Sequence, residues 1–222
     1  MQMRKNWNDE SWNPVTGCDK ISPACDNCYA LGIAKRLKDQ GQPKYQKDGD
    51  PRTSGPGFGL TLHPHILDAP YRWKKPRLVF LGSMSDLFHK DVPTDFIRRI
   101  FDVIRNTPNH TYQVLTKRST RLKKLARELD WPDNLWVGVT IETQKFDYRI
   151  DHLRTLPVKT KFVGATPLLG SLSLDLTDID FVVTGPESGQ RARPMDEEWL
   201  NDLRINCEEQ GVLLLTEEEF ER

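Results

Sequence analysis

"HTYQVLTKRSTRLKKLARELDWPDNLWVGVT" (His110–Thr140) reads as a strand, a helix and a second strand. The flanking runs Thr111–Thr116 and Leu135–Thr140 are mostly apolar rather than alternating, as in strands covered on both faces. Between them, over Ser119–Leu129, Leu122, Leu125, Ala126 and Leu129 recur at helical spacing, with lysines and arginines in the gaps. A strand, a helix and a strand in about thirty residues form a βαβ unit, and such a unit pairs its strands in parallel.

The same grammar extends outward. Further strand-like runs occupy Arg77–Ser83, Lys161–Ala165, Asp180–Gly185 and Gly211–Thr216. Pro93–Arg105 carries Phe96, Ile97, Ile100, Phe101 and Ile104 on one helical stripe, with Thr94 expected as its N-cap. Asp196–Gln210 carries Trp199, Leu200, Leu203 and Cys207, and Gly211 stands where a helix would stop. Two weaker strands are expected around Ser11–Thr16 and Phe58–His63. Eight strands would close a ring and six would leave it open. The expected fold is therefore α/β: one domain over residues 1–222, a complete or partial TIM-like (β/α) barrel. A doubly wound sheet is the alternative, but no glycine-rich phosphate loop follows any strand. Residues 40–59, dense in glycine, proline and polar groups, read as a lid loop or as an ordinary surface insertion.

Lysine plus arginine equals aspartate plus glutamate at 32 each, so no overall field draws the chain to nucleic acid or membrane. No apolar run approaches the ~20 residues of a membrane helix, and the N-terminal residues lack the apolar centre of a secretion signal. The expected compartment is the cytoplasm, where clustered cysteines are more often metal ligands or redox groups than disulfides.

Cys18, Cys25 and Cys28 follow the spacing C-x6-C-x2-C. Three thiolates can hold a cubane [4Fe–4S] cluster and leave one iron open for a small ligand such as S-adenosylmethionine. A zinc site would need a fourth ligand, with His63, His65, His89 and Cys207 as candidates; Cys207 lies on an apolar helical stripe and reads more simply as core. In a β/α barrel, chemistry gathers on the loops after the strands. Here those positions carry Cys18, then Ser83, Ser85, Asp86 and His89, then Thr116, Lys117 and Arg118, then Thr140, Glu142 and Thr143, then Glu187 and Ser188 with Arg191 and Arg193 following. Singly, each also suits a helix cap; together they mark one rim.

"WNPVTGCDKISPACDNCYA" (Trp12–Ala30), "RWKKPRLVFLGSMSDLFHKDVP" (Arg72–Pro93), "HTYQVLTKRSTRL" (His110–Leu122), "LWVGVTIET" (Leu135–Thr143) and "ESGQRARPM" (Glu187–Met195) together resemble an uncharacterised family of bacterial and phage proteins described as phage-derived and radical-SAM-like. The resemblance spans Trp7 to Gly211. It implies a β/α barrel with a three-cysteine iron–sulfur loop after the first strand, and no particular substrate. Three positions depart from the pattern: Thr166 stands for an acidic residue, Pro186 for a glycine, and Glu217 begins an acidic tail where a basic residue is expected.

The expected activity is reductive cleavage of S-adenosylmethionine to a 5′-deoxyadenosyl radical, followed by hydrogen abstraction from a substrate. Thr61, Ser83, Ser85, Asp86, Thr116 and Ser188 are the cofactor-binding candidates, and Lys117, Glu142 and Glu187 the catalytic ones. An electron donor such as flavodoxin or ferredoxin is implied, and no membrane. The alternative is a non-catalytic binding protein that keeps zinc or a cluster for stability behind an altered rim. Nucleic acid or a nucleotide is a candidate substrate: Arg72–Arg77 and Lys117–Arg127 are basic runs with Tyr71, Trp73 and Trp131 nearby. The second run also suits the solvent face of an amphipathic helix.

Overall fold

The six strong apolar runs become strands, and they pair in the order in which they occur. The computed structural model describes residues 8–189 and 191–216. Its strands are β1 (Glu10–Trp12), β2 (Val15–Thr16), β3 (Thr61–Leu62), β4 (Leu78–Leu81), β5 (Thr111–Thr116), β6 (Leu135–Thr140), β7 (Thr160–Ala165), β8 (Phe181–Thr184) and β9 (Leu213–Thr216). Seven form one sheet in the order β1-β4-β5-β6-β7-β8-β9, and every pairing is parallel. A doubly wound sheet reverses its strand order at a switch point. This one never reverses, so it is not doubly wound. Among the described residues, β1 and β9 remain its two edges, so hydrogen bonding does not close a ring.

Both weak strand candidates differ from expectation. Ser11–Thr16 breaks after Trp12 and resumes at Val15, because Pro14 brings no N–H to a ladder. Phe58–His63 shrinks to β3, which pairs antiparallel with β2 in a separate two-stranded ribbon. It adds no eighth strand.

The helices are α1 (Tyr29–Asp39), α2 (Thr94–Arg105), α3 (Ser119–Leu125), α4 (Tyr148–Arg154) and α5 (Glu197–Glu209). Thr94 is the first helical residue of α2 and Pro93 takes the N-cap position, where a missing donor costs nothing. Asp196 caps α5 by accepting from the Glu198 N–H, and Gly211 follows that helix at φ +68°. No described helix is long and apolar enough to cross a membrane.

Alternation along each strand sorts the side chains onto two faces. Val79, Leu81, Val114, Val137, Val139, Val163 and Val182 face outward and share one core with Ile97, Ile100, Leu122, Ile150 and Leu203. The inner face holds a smaller cluster of Leu115, Trp136, Phe162, Phe181, Val183 and Leu215. Its centre is a stacked pair, Phe162 on Phe181, with centroids 5.1 Å apart and planes 2° from parallel. Gly138, opposite Phe162 in the register, lets that ring lie across the neighbouring strand: a Cβ at 138 would sit 2.4 Å from it. The space above, towards the C-terminal strand ends, stays open.

Residues 40–59 fold back on α1. Tyr45 and Phe58 are buried with Ala30, Ala34 and Met84. Asp48 accepts from the Gly57 N–H and pairs with Lys38.

Candidate functional site

The first cysteine is set by a turn that only glycine accommodates. Gly17 donates its N–H to the Met84 carbonyl at 2.9 Å and bridges to Ser85. Its φ is +87°, and an added Cβ would meet the Gly59 carbonyl oxygen at 2.4 Å. Cys18 follows directly. Asp19 then anchors the loop: it accepts from Thr53 Oγ1 at 3.0 Å and lies 3.0 Å from His89 Nε2. His89 Nδ1 accepts from the Asp91 N–H, so Nε2 carries the proton that reaches Asp19. Cys25 ends a 3-10 turn that starts at Pro23, and Cys28 occupies the N-cap of α1.

All three cysteines line one cavity of about 690 Å³ that opens at the C-terminal strand ends. Phe80, Leu115, Phe162 and Val183 form its floor, and Asp19, Ser83, Ser85, Asp86, Lys117, Thr140 and Glu187 stand on its walls. Burial pushes the Cys18 thiol up to about 12, with Asp86 adding to the rise and Arg118 opposing it. Burial also raises Cys28, against the Ala30 and Leu31 N–H groups at the start of α1. Met84, Ala30 and Phe58 pack beside Cys18 and Cys28.

Among the described residues, no group of three or more His, Cys, Asp or Glu side chains closes around a single-ion position. None of the fourth zinc ligands considered lines the cavity: His63 lies 2.8 Å from Thr16 Oγ1, His65 is exposed, His89 holds Asp19, and Cys207 is in the core. Three thiols with apolar neighbours lining one cavity, and none of those fourth ligands there, suit a cluster held by three cysteines.

Of the expected cofactor and catalytic residues, Ser83, Ser85, Asp86, Lys117, Glu187 and Ser188 line the cavity. Their oxygens are not equally free. Asp86 accepts from Thr116 Oγ1 at 2.7 Å and from the Phe88 and Lys117 N–H groups at 2.9 and 3.2 Å. Ser83 Oγ is engaged by Asn13 at 3.0 Å. Ser85 Oγ is buried without a partner. Glu187 is clamped by Arg193 and by Asn27, the latter at 2.8 Å; these hydrogen bonds, Arg193 first, hold its carboxyl down to about 2.

Thr61, Thr116 and Glu142 lie off the cavity wall. Thr61 Oγ1 donates to the Gly59 carbonyl, and Thr116 serves Asp86. Glu142 is fully buried against Arg149 at 2.9 Å, and that guanidinium stacks 4.1 Å from the Phe146 ring. Thr166 and Pro186 do line the cavity, whereas Glu217 lies outside the described residues.

Arg121, Asn27 and Asp19 are contributors that sequence reasoning missed, and Arg118 is one that it placed both on the rim and in a basic run. Arg118, at the end of β5 and also in a basic run, turns inward: its Nη2 lies 3.6 Å from Cys18 Sγ and 2.9 Å from the Asp19 carbonyl. Arg121 also turns in, onto the His89 and Val92 carbonyls. Asn27 and Asp19 carried one available signal, their places beside the cysteines.

The chain belongs to the family described as "Protein of unknown function (DUF5131)", which matches residues 2–217. That description says nothing of a phage origin. Comparison with curated proteins gives no match. Among solved structures, a cysteine-to-alanine variant of spore photoproduct lyase with dinucleoside spore photoproduct superposes with a TM-score of 0.57 at 12% identity, over 91% of this chain and 74% of that one. A double variant of the same lyase with bound AdoMet and dinucleoside spore photoproduct gives 0.54 at 13% identity, over 90% and 74%. At these identities the likeness is one of fold.

Proposed function

We propose that this chain is an enzyme of the radical S-adenosylmethionine type, built on a partial β/α barrel. Cys18, Cys25 and Cys28 would hold a [4Fe–4S] cluster, and the cavity would receive S-adenosylmethionine and a substrate. The observation that carries the reading is three thiols lining one cavity, at the C-terminal ends of a sequentially wound parallel sheet. The fold shared with a lyase solved with AdoMet supports it. When bound, the cluster and its cofactor supply reductive cleavage of the sulfonium to a 5′-deoxyadenosyl radical, with one electron drawn from a donor such as flavodoxin or ferredoxin.

The chain's own groups divide the remaining work. Ser83 and Ser85 offer hydroxyls, Lys117 a cation, and Thr140 a hydroxyl at the edge of the floor. Asp86 spends its oxygens on the frame and orients Lys117 through the backbone. The apolar floor excludes water and suits a ring-bearing substrate. A nucleotide or nucleic acid is the substrate class we favour, in line with the dinucleoside bound by the solved lyase.

Anaerobic reconstitution tests the reading. Wild-type protein should take up about four iron and four sulfide per chain, and replacing Cys18, Cys25 and Cys28 by alanine should abolish that uptake. With dithionite and S-adenosylmethionine, the loaded protein should release 5′-deoxyadenosine. Iron content unchanged by the three substitutions would overturn the assignment. A second reading, a non-catalytic metal-stabilised binding protein, draws on Thr166 and Pro186 at the cavity wall; it predicts loading without deoxyadenosine.

A further inference from the structure

Arg118 is a residue with no surface role. Its side chain is 12% exposed and its guanidinium faces three groups of the site at once. Nη2 reaches Cys18 Sγ at 3.6 Å and the Asp19 carbonyl at 2.9 Å, while Nε stands 3.8 Å from Asp86 Oδ2. The backbone holds it there: the Arg118 N–H donates to Thr116 Oγ1 at 2.9 Å, and Thr116 is bound to Asp86. A guanidinium is permanently charged and rigid. Placed against a ligand sulfur in a poorly solvated cavity, it acts on that sulfur far more strongly than a solvated lysine would.

We infer that Arg118 is the positioning residue of the cluster site: it fixes the first ligand, Cys18, and raises the reduction potential of the group that Cys18 would hold. The inference rests on the cluster assignment above. Two physical effects point the same way. A hydrogen bond to a ligand sulfur withdraws electron density, and a nearby positive charge favours the more negative, reduced state. Reduction adds one electron to the cluster and no proton, so the full charge of that electron interacts with the guanidinium. Asp86 moderates the effect because its carboxylate shares the same cation. Lys117 lines the same cavity and its charge favours the thiolate of Cys28, but it makes no hydrogen bond to a cysteine sulfur among the described residues. No other arginine has such a contact among the described residues.

The test compares R118Q and R118K with wild type, each reconstituted anaerobically, analysed for iron, and titrated with dithionite under an electron paramagnetic resonance readout. R118Q should load iron and reduce about tenfold less favourably, a shift of about 59 mV to lower potential for a one-electron couple. R118K, which keeps the charge but loses the fork, should fall between the two. Loading by R118K but not by R118Q also supports the inference, through the ligand-fixing part. R118Q with full iron and an unmoved potential overturns it. Should neither variant load, D86N decides: freeing the arginine of its carboxylate should raise the potential above wild type, and an unmoved value overturns the inference. Wild-type protein that never takes up iron would instead sink the cluster assignment.

Discussion

The rim has two halves that treat their polar groups differently. At the ends of β1, β4 and β5, nearly every polar side chain is tied to another. Asn13 holds Ser83 and the Met84 N–H, Asp86 gathers Thr116, Phe88 and Lys117, and Asp19 collects Thr53, His89 and, through its carbonyl, Arg118. At the ends of β6 and β8, Thr140 Oγ1 is buried with no partner and Ser188 is exposed. A single clamp joins the halves: Glu187 with Arg193 and Asn27, extended by Arg193 to the Pro23 carbonyl at 2.8 Å. The front half is built as a fixed frame for the cysteines. The back half ties fewer of its groups, and Ser85 Oγ is the exception in the front.

That contrast is open to breaking. Asp86→Ala should cost the most, about 3 kcal/mol in urea unfolding, because three donors lose their acceptor in a buried setting. A cost below about 1 kcal/mol would mean that the front frame is not rigidly coupled. Glu187→Gln should cost about 1–2 kcal/mol at neutral pH, since one charge-assisted pairing weakens while the shape is kept. The pH dependence carries a sign. Glu187 titrates near 2 when folded, below its ordinary 4.5, so its contribution is complete above about 4.5 and disappears as pH falls towards 2. Wild type and Glu187→Gln should therefore differ by a constant amount from pH 5 to 8 and converge below 4. A gap that instead widens on acidification would contradict the clamp. Thr140→Val should change stability least, by under about 1 kcal/mol and in the favourable direction, because an unpartnered hydroxyl gives way to a methyl of the same shape. A loss above about 2 kcal/mol would show that the hydroxyl already serves the frame.

What was legible in the sequence follows from the range of the forces involved. β5 and β6 have the bounds that their apolar runs suggest, because burial on both faces leaves little freedom in where a strand starts. Clustering of Ser83, Ser85, Asp86, Lys117 and Glu187 at one cavity follows from strand-end position alone. The Phe58–His63 run misled because apolar character does not reveal its partner; the close packing of Gly59 on Gly17 turns it into the ribbon with β2. Arg118 was legible as a strand-end residue but not in its partners: it also belongs to a run of six basic residues, and nothing local shows that its contacts are with Cys18 and Asp19, a hundred positions away. Glu142 was legible as a strand-end carboxylate, but its direction was not. Arg149, seven residues later in α4, claims it from the outer side.

Phe162, stretched over Gly138, closes part of the bottom of the cavity. On the proposed function it would act as a depth stop for an occupant. A methyl group at 138 would push that aromatic plate upward and shorten the usable well without touching a single polar group on the rim. On that reading, the length of acceptable guests and the identity of their handles would be written in separate places, one in the smallest side chain of a strand and the other in the loops.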